Sequence, residues 1–295
     1  MSGLTPAALP FFRELGDLKR IHSANAPGSI AQRLFTDAWA ALLRGEPAGR
    51  VMEQVTAAVL VAARLGDLDF GTLQALGLDP LPVLDRAFEE VAGEVHSAVR
   101  DRLRAALPEG RPYAGEVPAF VAALARQPRA GVTCPGRPRI MLQPAENHAE
   151  HCLMVAVYGV LASGWHDADP VPVFLSGLAH HLHNAAMPDS GYSGEILLGD
   201  ALDTAIANAR NAALAQLPDG LAQQVSAALA PIGGDATGEA RAFHVADVLD
   251  RVLEIEQHTR AARLTMNTVL GEYGLVHDGP VKPFHDRILM DAGLL

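Results

Sequence analysis

Lysine is nearly missing from this chain of 295 residues: Lys19 and Lys282 are the only two. Arginine carries the remaining positive charge and is outnumbered by carboxylates, so the formal net charge is −11. So acidic a chain argues against extended nucleic-acid binding and against broad attachment to anionic lipid. Cysteine is scarce as well. Cys134 and Cys152 stand alone, which excludes a disulfide framework and suits a reducing compartment. Long apolar runs are lacking: Val55–Ala63 and Leu153–Trp165 are the longest, short of the ~20 residues that span a bilayer. The N-terminus has no charged-then-apolar leader pattern. These absences predict a cytoplasmic protein without a membrane partner. Runs of alternating β-branched residues are also absent, so no strand is predicted.

What is present reads as helix. Hydrophobic residues make up 49% of the chain, enough for a substantial core, and Ala and Leu, both helix formers, dominate. Gly and Pro punctuate at helix-length intervals. The pattern predicts helices over 29–44, 48–65, 81–107 and 117–126 in the first half. In the second half it predicts helices over 145–162, 171–187, 194–216, 218–229, 237–272 and 281–290. Between 108 and 144 prolines accumulate, and the junction between halves is placed there: an N-terminal helical region, 1–130, and a second region, 131–295. The expected fold class is all-α. Arginines also gather around this junction, Arg137 and Arg139 among them. They are either a solvated face or an electropositive rim for an anionic substrate, since the guanidinium fork matches phosphate.

Histidine is unevenly placed: ten of twelve lie at or after His148. Three segments concentrate chemistry-bearing residues. The first runs Glu146-Asn147-His148-Ala149-Glu150-His151-Cys152, the second Leu178-Ala179-His180-His181-Leu182-His183-Asn184-Ala185, the third Phe243-His244-Val245-Ala246-Asp247. Imidazole nitrogen suits Zn, Fe, Ni and Co, and a carboxylate offsets the charge of the ion.

Taken together, these segments resemble the HD-domain superfamily of metal-dependent phosphohydrolases. In that family a His on one helix, an adjacent His-Asp pair on the next and an Asp on a later helix hold a metal. The resemblance covers roughly residues 143–270. It implies an HD-like helical bundle and a ligand set of His151, His183, Asn184 and Asp247, with Asn184 where the family has its paired Asp. Leu182 before the pair and Ala185-Ala186 after it favour this register; His180-His181 is the competing one. His148, His180 and His244 share helical faces with these positions and are candidate extra ligands or supporting groups. An amide is a weaker ligand than a carboxylate and bridges metals poorly, so the expected cofactor is one divalent ion (Mn, Fe, Zn, Co, Ni or Mg).

The segment 188–195 follows the second histidine group directly and carries Asp189 and Glu195, the acid/base candidates by position. Arg137 and Arg139 are the candidate substrate contacts, and Cys152 is expected to be a small core residue. The resulting expectation is a metal-dependent phosphohydrolase acting on a small phosphorylated compound or nucleotide, of reduced activity because of Asn184 and compatible with a homo-oligomer. Three alternatives stay open: an inactive HD-like ligand- or protein-binding module, an HD-type iron oxygenase, and a helical protein with no metal.

Overall fold

A computed structural model describes residues 4–110, 115–262 and 265–295. They are all-α. The first seven helices are α1 (Leu9–Gly16), α2 (Ile30–Leu43), α3 (Ala48–Leu65), α4 (Phe70–Ala75), α5 (Pro80–Val91), α6 (Ser97–Ala105) and α7 (Ala119–Arg126). The others are α8 (His148–Ser163), α9 (Pro170–Ala179), α10 (Gly191–Leu198), α11 (Leu202–Leu214), α12 (Asp219–Leu229), α13 (Gly238–Ala262) and α14 (Lys282–Asp291). Extended pairing among the described residues is confined to isolated bridges such as Pro128 with Asn147. No described helix is long and apolar enough to cross a membrane.

Several predicted helices are interrupted. The 81–107 stretch divides into α5 and α6 around a tight turn at Ala92–Glu94, and 194–216 divides into α10 and α11. The 237–272 stretch yields α13 and a wide turn at Thr268–Glu272; residues 263 and 264 lie outside the described residues. The break that matters most is in 171–187. There α9 stops at Ala179, and a short tight turn, Leu182–Ala185, takes over, so His180 and His181 stand at a helix end instead of within a continuous helix.

The centre of the molecule is α8. All sixteen of its residues are buried, as expected of a helix that is apolar all round. Asn147 caps its first turn by accepting from the Glu150 amide, and the Glu150 side chain accepts from the Asn147 amide, a reciprocal box that satisfies two otherwise orphaned donors. The start of α2 is tied to the same place: Ser29 caps α2 and donates its hydroxyl to Glu150 at 2.6 Å. Around α8 pack α2, α7, α9 and α13, and one hydrophobic core runs from Leu4 to Ala292 without a gap at the expected junction near residue 130.

Small residues set the spacing of α8 and α9. A Cβ on Gly177 would lie 2.4 Å from the Ala156 Cα, and one on Gly159 would lie 2.5 Å from a Val173 methyl. The two helices are therefore in backbone-to-backbone contact where they cross, and that crossing fixes where their histidines meet.

Candidate metal centre

His151 on α8, His180 and His181 at the end of α9, and Asp247 on α13 converge. The ligating atoms of His151, His180 and His181 all lie within 4.8 Å of one another. His151 Nε2 is 3.1 Å from His180 Nε2 and 3.4 Å from Asp247 Oδ1, and His180 Nε2 is 3.9 Å from the same oxygen.

Each ring is held by its other nitrogen. His151 Nδ1 meets Asp250 Oδ2 at 2.7 Å, His180 Nδ1 meets the Gly177 carbonyl at 2.8 Å, and His181 Nδ1 meets Asn184 Oδ1 at 2.6 Å. Carbonyl and carboxylate oxygens only accept, so the proton in each pair sits on Nδ1. For His151 the 2.7 Å contact outcompetes the 3.4 Å approach to Asp247. Nε2 is then a bare lone pair in all three rings. Two such nitrogens facing each other at 3.1 Å beside a carboxylate repel unless a proton or a metal cation lies between them. Two donors about 2.1 Å from one ion at ordinary angles stand roughly 3.0–3.4 Å apart, so the donor set fits a divalent metal.

The protonation states agree with this. Burial, followed by the neighbouring His151, pushes His180 down to about 3, and burial together with His180 holds His181 well below the ordinary histidine value. Both are neutral near pH 7, ready to ligate without losing a proton. Burial alone would raise the Asp247 carboxyl; the Arg251 guanidinium 3.7 Å away acts in the opposite direction and lowers it.

The expected donors His151, His183, Asn184 and Asp247 do not all come together. His183 and Asn184 are not among the converging donors: the Asn184 amide accepts from His181 and donates to the Met187 carbonyl at 3.2 Å. Asn184 thus holds the His181 ring and lies outside the histidine cluster. His183 Nδ1 lacks a hydrogen bond, and burial pushes this ring down to about 4. The reason is the stop of α9: without a continuous helix, 180 and 183 no longer share a face. His148 lies beside His181 with both ring nitrogens unbonded, its Nε2 3.7 Å from Asp189 Oδ2. His244 faces elsewhere, donating to the Gly234 carbonyl at 3.1 Å and meeting His285 at 3.2 Å.

The centre opens into a cavity of about 420 Å³ lined by His180, His181, Asp247, Arg129, Arg251 and Glu195, among others. Asp189 also lines it, but its carboxylate accepts from the backbone amides of Ala130 and Gly191. The Glu195 side chain makes no hydrogen bond or ion pair among the described residues, and burial and Asp189 raise its pKa. Arg137 and Arg139 are not in the wall. Arg137 pairs with Glu272, and Arg139 donates to the Ala130 and Ser190 carbonyls. The cationic wall residues are Arg129, bonded to Glu146 at 2.9 Å, and Arg251, 3.7 Å from Asp247. Tyr192 and His277 stack across one side at 3.7 Å. Cys152 is fully buried, with its thiol raised by that burial.

Behind the histidines lies a charged layer absent from the sequence reading. Lys19, between α1 and α2, reaches Glu146, Asp250 and Glu254, and all four side chains are buried. Burial would lower the Lys19 ammonium, but Asp250 and Glu146 outweigh it and hold it above the ordinary lysine value. The available signal was its rarity: Lys19 is one of only two lysines in an arginine-rich chain.

The chain matches none of the protein-family models, curated proteins or solved structures with which it was compared.

Proposed function

We propose that the chain is a metal-dependent phosphohydrolase of HD type with a mononuclear centre held by His151, His180, His181 and Asp247. The observation that carries this reading is the common tautomer: three clustered rings pinned at Nδ1, with Nε2 of His151 and His180 left toward the Asp247 carboxylate. In the competing register, His151, the adjacent pair His180-His181 and the later Asp247 follow the order of the HD ligand set. His181 then stands where the family has its paired Asp. A bound divalent ion supplies Lewis acidity toward a phosphoryl oxygen.

The chain's own residues do the rest. Gly177, Asp250 and Asn184 orient the three rings. Arg251 and Arg129 present positive charge to an anionic substrate in the cavity. Asp189 is committed to backbone amides, which leaves Glu195 to donate a proton to the leaving oxygen; its raised pKa suits a general acid. The substrate class is a small phosphorylated compound.

The test is metal analysis of untagged protein, together with phosphate release from a panel of sugar phosphates and nucleotides. His180→Ala loses the bound ion and the activity, whereas His183→Ala keeps the ion. The reverse pattern returns the ligand pair to 183–184. Absence of metal from the wild type refutes the centre altogether.

One observation favours a second reading. His181 is neutral where a carboxylate would compensate the ion, so a module that binds phosphate ligands without turnover has the same architecture. Ligand-induced thermal stabilisation without phosphate release selects that reading.

A further inference from the structure

Lys19 sits among three buried carboxylates, and each carboxylate divides its two oxygens in the same way. Glu146 gives Oε2 to Lys19 Nζ at 2.9 Å and Oε1 to Arg129 at 2.9 Å. Asp250 gives Oδ1 to Lys19 at 2.9 Å and Oδ2 to His151 Nδ1 at 2.7 Å. Glu254 gives Oε2 to Lys19 at 2.9 Å and Oε1 to Arg20. The ammonium is thus the hub of three ion pairs: it donates hydrogen bonds to Glu146 and Asp250, and meets Glu254 Oε2 through charge alone. Three negative charges meet three positive ones, from Lys19, Arg129 and Arg20. Without Lys19, Glu146, His151 and Asp250 form a second group whose donor atoms lie within 4.8 Å of one another, the donor set of another cation site directly behind the first.

We propose that Lys19 is the built-in second cation of this centre. Its ammonium takes the place of a second metal ion among Glu146, Asp250 and Glu254, and through Asp250 it holds His151 with Nε2 toward the first. This rests on the metal centre proposed above. The chemistry is direct. With one oxygen bound by Lys19, Asp250 is left to accept the His151 Nδ1–H on the other. A carboxylate that binds a ligand histidine in this way fixes its tautomer, and its loss costs about 10–100-fold in metal affinity. A tethered ammonium, unlike a metal ion, neither dissociates nor competes for the free ion, so the centre stays mononuclear at any metal concentration. Lys19 is a positioning residue: it acts through Asp250 and does not touch the metal.

The experiment uses the full chain and Mn²⁺ alone as probe, titrated calorimetrically. Wild type takes up one Mn²⁺ per chain. Lys19→Ala takes up a second ion or loses at least tenfold in affinity at the first, because three carboxylates are left without their central cation. Lys19→Ala binding one ion with the wild-type Kd overturns the proposal. If that variant does not fold, Asp250→Asn, which keeps size and shape, weakens Mn²⁺ binding by about 10–100-fold; an unchanged Kd overturns the proposal. Nitrogen-15 NMR of the metal-free wild type gives a readout that needs no variant. His151 in the Nδ1–H form supports the arrangement, and the Nε2–H form sinks it. A wild type that binds no Mn²⁺ yet carries Nδ1–H on His151 refutes the metal centre while leaving the Lys19–Asp250–His151 chain standing.

Discussion

Gly177→Ala tests whether the crossing of α8 and α9 builds the centre. In an open helix position this change stabilises by up to about 1 kcal/mol, because alanine loses less backbone entropy on folding. Here the new methyl would stand 2.4 Å from the Ala156 Cα and 2.5 Å from its amide nitrogen. Both are backbone atoms, so no side-chain rotation relieves the clash. Ordinary contact begins near 3.4 Å, so α9 must retreat from α8 by about 1 Å. Overpacking of this kind costs about 1–3 kcal/mol, and at about 2–4 °C per kcal/mol for large domains the melting temperature falls by several degrees. Metal donors tolerate displacements of only about 0.2 Å. His180 follows directly on α9 and donates to the Gly177 carbonyl itself, so the proposed centre predicts a rise in Tm with Mn²⁺ for the wild type and its loss in Gly177→Ala. Gly220 in α12 is the control: a Cβ there meets nothing within 4 Å, and Gly220→Ala leaves Tm unchanged or raised. Thermal unfolding with and without Mn²⁺ reads all three proteins. A Gly177→Ala protein with wild-type Tm and an intact Mn²⁺ response refutes the close crossing.

Glu195→Gln keeps the shape of the cavity wall but removes the acid. Phosphate release should drop by about 10²–10⁴-fold with metal content unchanged; a drop accompanied by metal loss makes Glu195 a structural residue. The buried His285 ring is pushed down to about 4 by burial, so it stays neutral in the folded chain while its unfolded counterpart takes a proton below pH ~6.5. The unfolded state then binds more protons, and this contribution to stability is full above pH 6.5. It is lost as pH falls towards 4, at about 1.4 kcal/mol per pH unit. Urea unfolding of wild type and His285→Phe at pH 7.5 and 4.5 checks this: the variant loses less stability on acidification, and equal losses in the two proteins refute the assignment.

Composition and periodicity were enough for the helices, because apolar spacing reports directly which face is buried. The 48–65 helix forms with those limits, and the 29–44 helix differs by a residue at each end. The end of α9 at Ala179 left no such trace. No Gly or Pro marks it; the helix stops where His181 turns to bond Asn184, a side-chain preference that spacing does not encode. That one break brings His180 and His181, in place of His183 and Asn184, to His151, and leaves Asn184 bonded to the His181 ring. The proximity of His151 and Asp247 agrees with the sequence pattern because both lie inside long, unbroken helices. Lys19 and Arg129 were not legible, since their partners lie 231 and 17 residues away in sequence, and a charge without its partner reads as surface. Arg137 and Arg139 made the converse error, adjacent in sequence to the site yet turned to Glu272 and to backbone carbonyls.

The two walls of the cavity are held very differently. His151 belongs to a helix with every residue buried, whereas α10, which carries Tyr192 and Glu195, has no buried residue at all. Amides of α8 exchange with solvent only when the whole fold opens, while those of α10 exchange through local fluctuations that leave the core intact. The histidine-bearing side of the cavity is therefore as long-lived as the protein itself. The α10 side opens and closes many times within that lifetime, so that a ligand of the proposed site could enter and leave without the histidines being disturbed.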